Sequence, residues 1–167
     1  MSAIQPSVRH RRALPRLGLA VFCTLLLWTG LALAETRDPM QHFFDSTFGD
    51  FSEELRAARE EGKKGVLLMF EMDECPFCHR MKNTVLNQSE VQEYFKEHFL
   101  IFPVDIEGDV EVTSFTGEVM KQKDFALKSY RVRATPVFAF FDLDGKLMAK
   151  YIGATRDAAE LMLLGRY

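Results

Sequence analysis

Two cysteines separated by two residues, placed just after a short apolar run, constrain this chain more than any other feature. The run is Gly65-Val66-Leu67-Leu68-Met69-Phe70. It is continuous and short, the pattern of a strand buried on both faces. Cys75-Pro76-Phe77-Cys78 follows, and Pro76 suits the first position of a helix, where its missing N–H has no partner to lose. Cys75 is thereby expected at a helix N-terminus, where free N–H groups and the positive dipole end favour a thiolate. Cys78 comes one helical turn later, close enough to close a small disulfide ring. That placement suits thiol–disulfide exchange: Cys75 attacks a disulfide or carries one, and Cys78 resolves the mixed disulfide.

Other uses of the pair compete. A structural staple fits poorly, because so small a ring restricts little of the unfolded chain. A zinc site needs more Cys or His at matching spacing. Only His79 is adjacent, so no metal is expected. Cys75-Pro76-Phe77-Cys78-His79 is also formally a c-type haem attachment motif. A strand-flanked motif in an α/β pattern is not the mostly helical setting haem attachment favours, and haem stays as the alternative. His79, one turn beyond Cys75, is a candidate to modulate the thiolate, to face substrate, or simply to be solvated.

The N-terminus reads as a leader. Arg9, Arg11, Arg12 and Arg16 precede an apolar run from Leu17 to Leu33, which ends in Ala32-Leu33-Ala34. This is the layout of a secretory signal peptide, residues 1–34, with an uncleaved anchor as the alternative. Without these residues, 17 basic side chains face 24 acidic ones, a net charge of −7. So acidic a domain is a poor match for nucleic acid. An exported chain with two remaining cysteines is placed in the periplasm.

Residues 35–50 read as an N-terminal arm with a short helix near Gln41 to Phe44, and residues 51–167 as one domain. Ser52 is expected to cap a helix ending at Gly62. A helix from Pro76 to about Leu86, and another capped by Ser89, precede a second buried strand, Phe99 to Asp105. Residues 108–120 form a polar excursion, and a helix is expected from Lys123 to Tyr130. Pro136 to Phe141 is a third strand, Asp144-Gly145 a hairpin turn, and Leu147 to Ile152 the return strand. Thr155 is expected to cap a last helix. The order gives a central mixed sheet flanked by helices. An X-Pro bond before a buried strand, with a redox pair elsewhere, suggests a cis Thr135-Pro136 that brings Thr135 beside the cysteines, its backbone open to an extended substrate.

These residues resemble the thioredoxin superfamily, and within it periplasmic thioredoxins of the SoxW type. The resemblance rests on Met69-Phe70-Glu71 leading into Cys75-Pro76-Phe77-Cys78, on Asp105-Ile106-Glu107-Gly108, and on Val132-Arg133-Ala134-Thr135-Pro136 followed by Phe141-Asp142-Leu143-Asp144-Gly145. It covers about residues 50 to 153. It implies an α/β thioredoxin fold, a nucleophilic Cys75, a resolving Cys78 and a cis Pro136, with Thr135, Pro136, Pro76 and Phe77 meeting substrate. No bound cofactor is implied beyond the redox-active cysteines, and a monomer is expected. SoxW-type proteins are associated with sulfur oxidation and with electrons from a membrane thiol transporter of the CcdA kind. That implies a reductase of periplasmic disulfides; a periplasmic oxidase or isomerase is the alternative. Three departures stand out. Met69 occupies the place of the family's buried aspartate, with Glu71 the candidate substitute. The family's Gly-Pro is Pro-Phe. Asp73-Glu74 adds negative charge beside Cys75.

Overall fold

The structure, a computed structural model, describes residues 35–166. The leader and its Ala-x-Ala site lie outside the described residues. The elements in chain order are α1 (Pro39–His42), α2 (Phe51–Glu60), β1 (Gly65–Glu71), α3 (Pro76–Thr84), α4 (Ser89–His98) and β2 (Phe99–Asp105). They continue with β3 (Glu111–Thr113), β4 (Val119–Lys121), α5 (Gln122–Asp124, running on as a π-helical turn Phe125–Ser129), β5 (Val137–Asp142), β6 (Leu147–Ile152) and α6 (Ala158–Arg166).

Four strands form the central sheet in the order β2-β1-β5-β6. β1 and β2 run parallel, as the crossover through α3 and α4 allows, while β5 and β6 are each antiparallel to their inner neighbour. β1 is a central strand, and Gly65 through Phe70 are all buried. The two-residue period of the strand splits them. Leu67 and Met69 join a core with Phe95 of α4, Leu161 of α6 and both cysteines. Val66, Leu68 and Phe70 join a core with Phe51 and Leu55 of α2 and Phe125 of the π turn. Each such buried side chain stabilises the fold by about 1.5–3 kcal/mol, so both faces must be covered. At the start of β1, Gly65 leaves no room for a side chain: a Cβ there would collide with the Phe141 carbonyl oxygen.

Local chemistry moves several boundaries. Asp50, not Ser52, caps α2: its Oδ1 accepts from the Ser52 and Glu53 N–H groups at 3.0 and 3.1 Å. A carboxylate at a helix N-terminus has the dipole in its favour, and the Ser52 hydroxyl donates to it as well (2.6 Å), holding the Asp50 carboxyl below its usual range. Ser89 is the first residue of α4 rather than its cap. α3 stops at Thr84, which lets Val85 and Leu86 turn into the core. Thr155 does not cap α6. It is buried, with its hydroxyl donating to the Asp157 carbonyl at 3.1 Å, and Asp157 accepts from Glu160 N–H at 2.9 Å. The polar excursion contains the small β3–β4 sheet, turned by Gly117 at φ 85°. The arm is knitted into the domain: Phe43 and Phe44 are buried in the same core as the cysteines.

Candidate active site

β1 delivers Cys75 to its C-terminal end, and α3 begins at once. Cys75 is the N-cap of α3, with extended backbone at φ −120° and ψ 96°. Its Sγ accepts from the Cys78 N–H at 3.0 Å, one of the free donors of the first helical turn. Cys75 and Cys78 are joined in a disulfide, and each residue is only 2% exposed.

A second donor arrives from far along the chain. β5 lies antiparallel beside β1, with Val137 opposite Phe70. This register carries the segment just before β5 to the end of β1 where the cysteines sit. The Thr135-Pro136 peptide is cis. The Thr135 hydroxyl donates to Cys75 Sγ at 3.2 Å. Sequence reasoning places Thr135 here through its backbone and misses the hydroxyl contact. Pro136 is buried, whereas Pro76 and Phe77 are exposed, Phe77 by 62%.

Glu71 lies on the same face of β1 as Met69, and Met69 is wholly buried with the cysteines. The Glu71 carboxylate is paired with Lys82 Nζ at 2.6 Å, both side chains largely shielded. Lys82 also sits 5.8 Å from the centre of the Phe44 ring. Sequence reasoning misses Lys82, although its place one turn beyond Cys78 on α3 was a readable signal. His79 is exposed, and its Nε2 donates to the Asp73 carbonyl at 3.0 Å, tying the turn before Cys75 to α3.

Opposing charges act on a Cys75 thiolate. The Cys78 N–H and the Thr135 hydroxyl favour it. Asp73 and Glu74, both exposed and next to it in the chain, oppose it. The basic side chains of α3 are engaged elsewhere: Arg80 donates to the Thr155 carbonyl, and Lys82 pairs with Glu71. The helix that carries Cys75-Pro76-Phe77-Cys78-His79 leaves a central strand of a mixed sheet, and its two sulfurs are joined to each other.

A disulfide between the N-cap of a helix and its next turn, at the end of a central strand, is the arrangement of a thiol–disulfide exchange site. More particularly, the chain belongs to the thioredoxin-like domain family, whose model matches residues 51–167. It is 27% identical over 101 residues to the disulfide bond reductase DsbH of Chlamydia pneumoniae, a match covering 60% of this chain and 58% of that protein. The chain thus spans little more than half the length of that relative. A solved putative disulphide-isomerase from Bacteroides thetaiotaomicron is 28% identical, with a TM-score of 0.54 over 74% of this chain and 95% of that one. The C-terminal domain of DsbD from Neisseria meningitidis, in reduced form, shares the fold at 23% identity and TM-score 0.51, over 68% of this chain and 88% of that one. Among the described residues, no helix is long and apolar enough to cross a membrane.

Proposed function

We propose that the protein is an exported reductase of protein disulfides, with Cys75 as nucleophile and Cys78 as resolving thiol. In the reduced state the Cys75 thiolate attacks one sulfur of a substrate disulfide, and the other sulfur leaves as a thiolate. Cys78 then loses its proton and attacks Cys75 Sγ, releasing the second substrate thiol. Two electrons pass to the substrate, and the Cys75–Cys78 disulfide remains. The order follows the donors, because Cys75 Sγ has the Cys78 N–H and the Thr135 hydroxyl.

One observation carries the direction. A strong oxidant owes its high potential to a stabilised reduced form. Here the acidic pair Asp73-Glu74 stands beside Cys75, and the cations of α3 are held by other partners. The reduced form is therefore little stabilised, and the pair tends to give electrons away. The name of the Chlamydia relative, a disulfide bond reductase, supports the same direction. The leader, Arg9 through Ala34, supports export to the periplasm. A membrane thiol transporter of the CcdA kind is the proposed source of electrons, and sulfur oxidation the proposed setting, both on the SoxW-type resemblance.

Equilibration against glutathione redox buffers tests the direction. The expected potential lies near the thioredoxin end of the scale, about −270 mV. A value near −120 mV makes the protein an oxidase instead.

A further inference from the structure

Beside the Thr135-Pro136 segment the surface carries three cations, on a domain that is acidic as a whole. Arg131 and Arg133 lie in the segment leading to Pro136, and Lys150 comes from β6. With Ala134 and Ile152 they line a cavity of about 120 Å³, room for a single side chain. Ala134 is the residue before Thr135, which touches Cys75 Sγ, while Val137 places the cavity on the Phe51 and Phe125 face of the sheet, at the end where the cysteines sit. Lys150 Nζ donates to the Tyr130 carbonyl at 3.0 Å, which fixes its charge next to Arg131. Among the described residues, none of the three cations pairs with a carboxylate, although twelve ion pairs form elsewhere.

Arg131 is also held in an unfavourable conformation. It is the one non-glycine residue with positive φ among the described residues, at 54°. Its N–H donates to the Leu127 carbonyl, and the Val132 N–H to the Ala126 carbonyl, at 3.1 and 2.9 Å. The bond from Arg131 makes an αL end to the π turn, and its left-handed position ordinarily takes glycine. A side chain kept there at a cost of about 1 kcal/mol points to a use for that side chain.

Two further features fit a polypeptide. The backbone N–H and C=O groups of Arg133, Ala134 and Thr135 have no partner among the described residues. Exposed apolar side chains flank this segment. Phe77 lies on the cysteine helix, and Ile152 is exposed by 64% opposite Val137. The Gly153 N–H donates to the Pro136 carbonyl at 2.8 Å, holding the end of β6 against the segment.

We propose that Arg131, Arg133 and Lys150 select, for Cys75, extended segments of partner proteins that carry acidic residues beside the reacting disulfide. The proposal rests on the thiol–disulfide exchange reading. Asp73 and Glu74, immediately before Cys75 in the chain and exposed, repel an acidic segment, which favours its approach along the cations. The net charge of −7 does not cancel this, because at 0.1 M salt charges beyond about 10 Å are largely screened.

The test uses the reduced mature protein and two peptides, each with one cysteine in a disulfide with thionitrobenzoate. Two Glu flank the cysteine in one peptide and two Lys in the other. Release of thionitrobenzoate gives the rate. The acidic peptide is expected to react about 10-fold faster at about 0.1 M salt, with the ratio approaching one in concentrated salt. Arg131→Glu/Arg133→Glu is expected to invert the ratio, and Arg133→Gln to reduce it. Because both peptides are read on one sample, a partly folded variant does not distort the ratio. Equal rates, a preference for the Lys peptide, or a ratio indifferent to the substitutions overturns the docking proposal alone. A faster reaction with oxidised glutathione than with either peptide overturns the polypeptide as occupant. If no disulfide reacts at all, the exchange reading falls, and the docking proposal with it.

Discussion

The Thr135 hydroxyl donates to Cys75 Sγ across 3.2 Å, joining residues sixty positions apart in the chain. The contact exists because Val137 of β5 is in register with Phe70 of β1, so the segment before β5 ends where the cysteines begin. It supplies a second donor to the same sulfur that already receives the Cys78 N–H.

Thr135→Val removes that donor and keeps the side-chain shape. Losing a hydrogen bond to a charged acceptor of modest strength costs about 1 kcal/mol, or roughly 5-fold. Less thiolate is then present at a given pH. The pH profile of iodoacetamide alkylation of the reduced protein is expected to move to higher pH. The rate at pH 7 is expected to fall about 5-fold. A profile unchanged from wild type means the hydroxyl does nothing for the thiolate.

Asp73→Asn/Glu74→Gln removes the negative charges beside Cys75. Both residues are exposed, so solvent screens much of their effect. The sign is definite: a less opposed thiolate stabilises the reduced form and makes the pair more oxidising. A rise in potential of about 10–20 mV corresponds to roughly 0.5–1 kcal/mol. A fall in potential contradicts the charge account of direction.

Arg131→Gly relieves the left-handed conformation at φ 54°. Folding stability is expected to rise by up to about 1 kcal/mol, partly offset by the greater freedom of glycine in the unfolded chain. Urea denaturation measures it. The same variant is expected to lose part of the preference for acidic peptides. A variant less stable than wild type shows that the Arg131 side chain supports the fold instead.

Much of this was legible from local patterns. The apolar run Gly65–Phe70, the Cys75–Cys78 spacing, the Asp144-Gly145 turn and the Thr135-Pro136 dipeptide each carry their meaning within a few residues. Cap positions shifted where two candidates stood close together. Asp50 and Ser52 both suit a helix start, and the carboxylate takes both N–H groups while the serine hydroxyl donates to it. What the sequence hid depends on register. The Thr135 hydroxyl on Cys75, the grip of Lys82 on Glu71, and the gathering of Arg131 with Lys150 all join residues from separate elements. No periodicity along one segment reports such pairs. The left-handed Arg131 was hidden for another reason: a helix was expected through Tyr130, and its π-helical end with an αL turn has no glycine to announce it.

The most direct test is trapping. Reduced Cys78→Ser protein is incubated with a disulfide-bonded substrate protein, and the adduct is mapped by peptide mass. The expected result is a stable mixed disulfide at Cys75, released by dithiothreitol, with no adduct in Cys75→Ser/Cys78→Ser. A folded Cys78→Ser protein that forms no adduct at Cys75 would contradict the central claim that Cys75 attacks and Cys78 resolves.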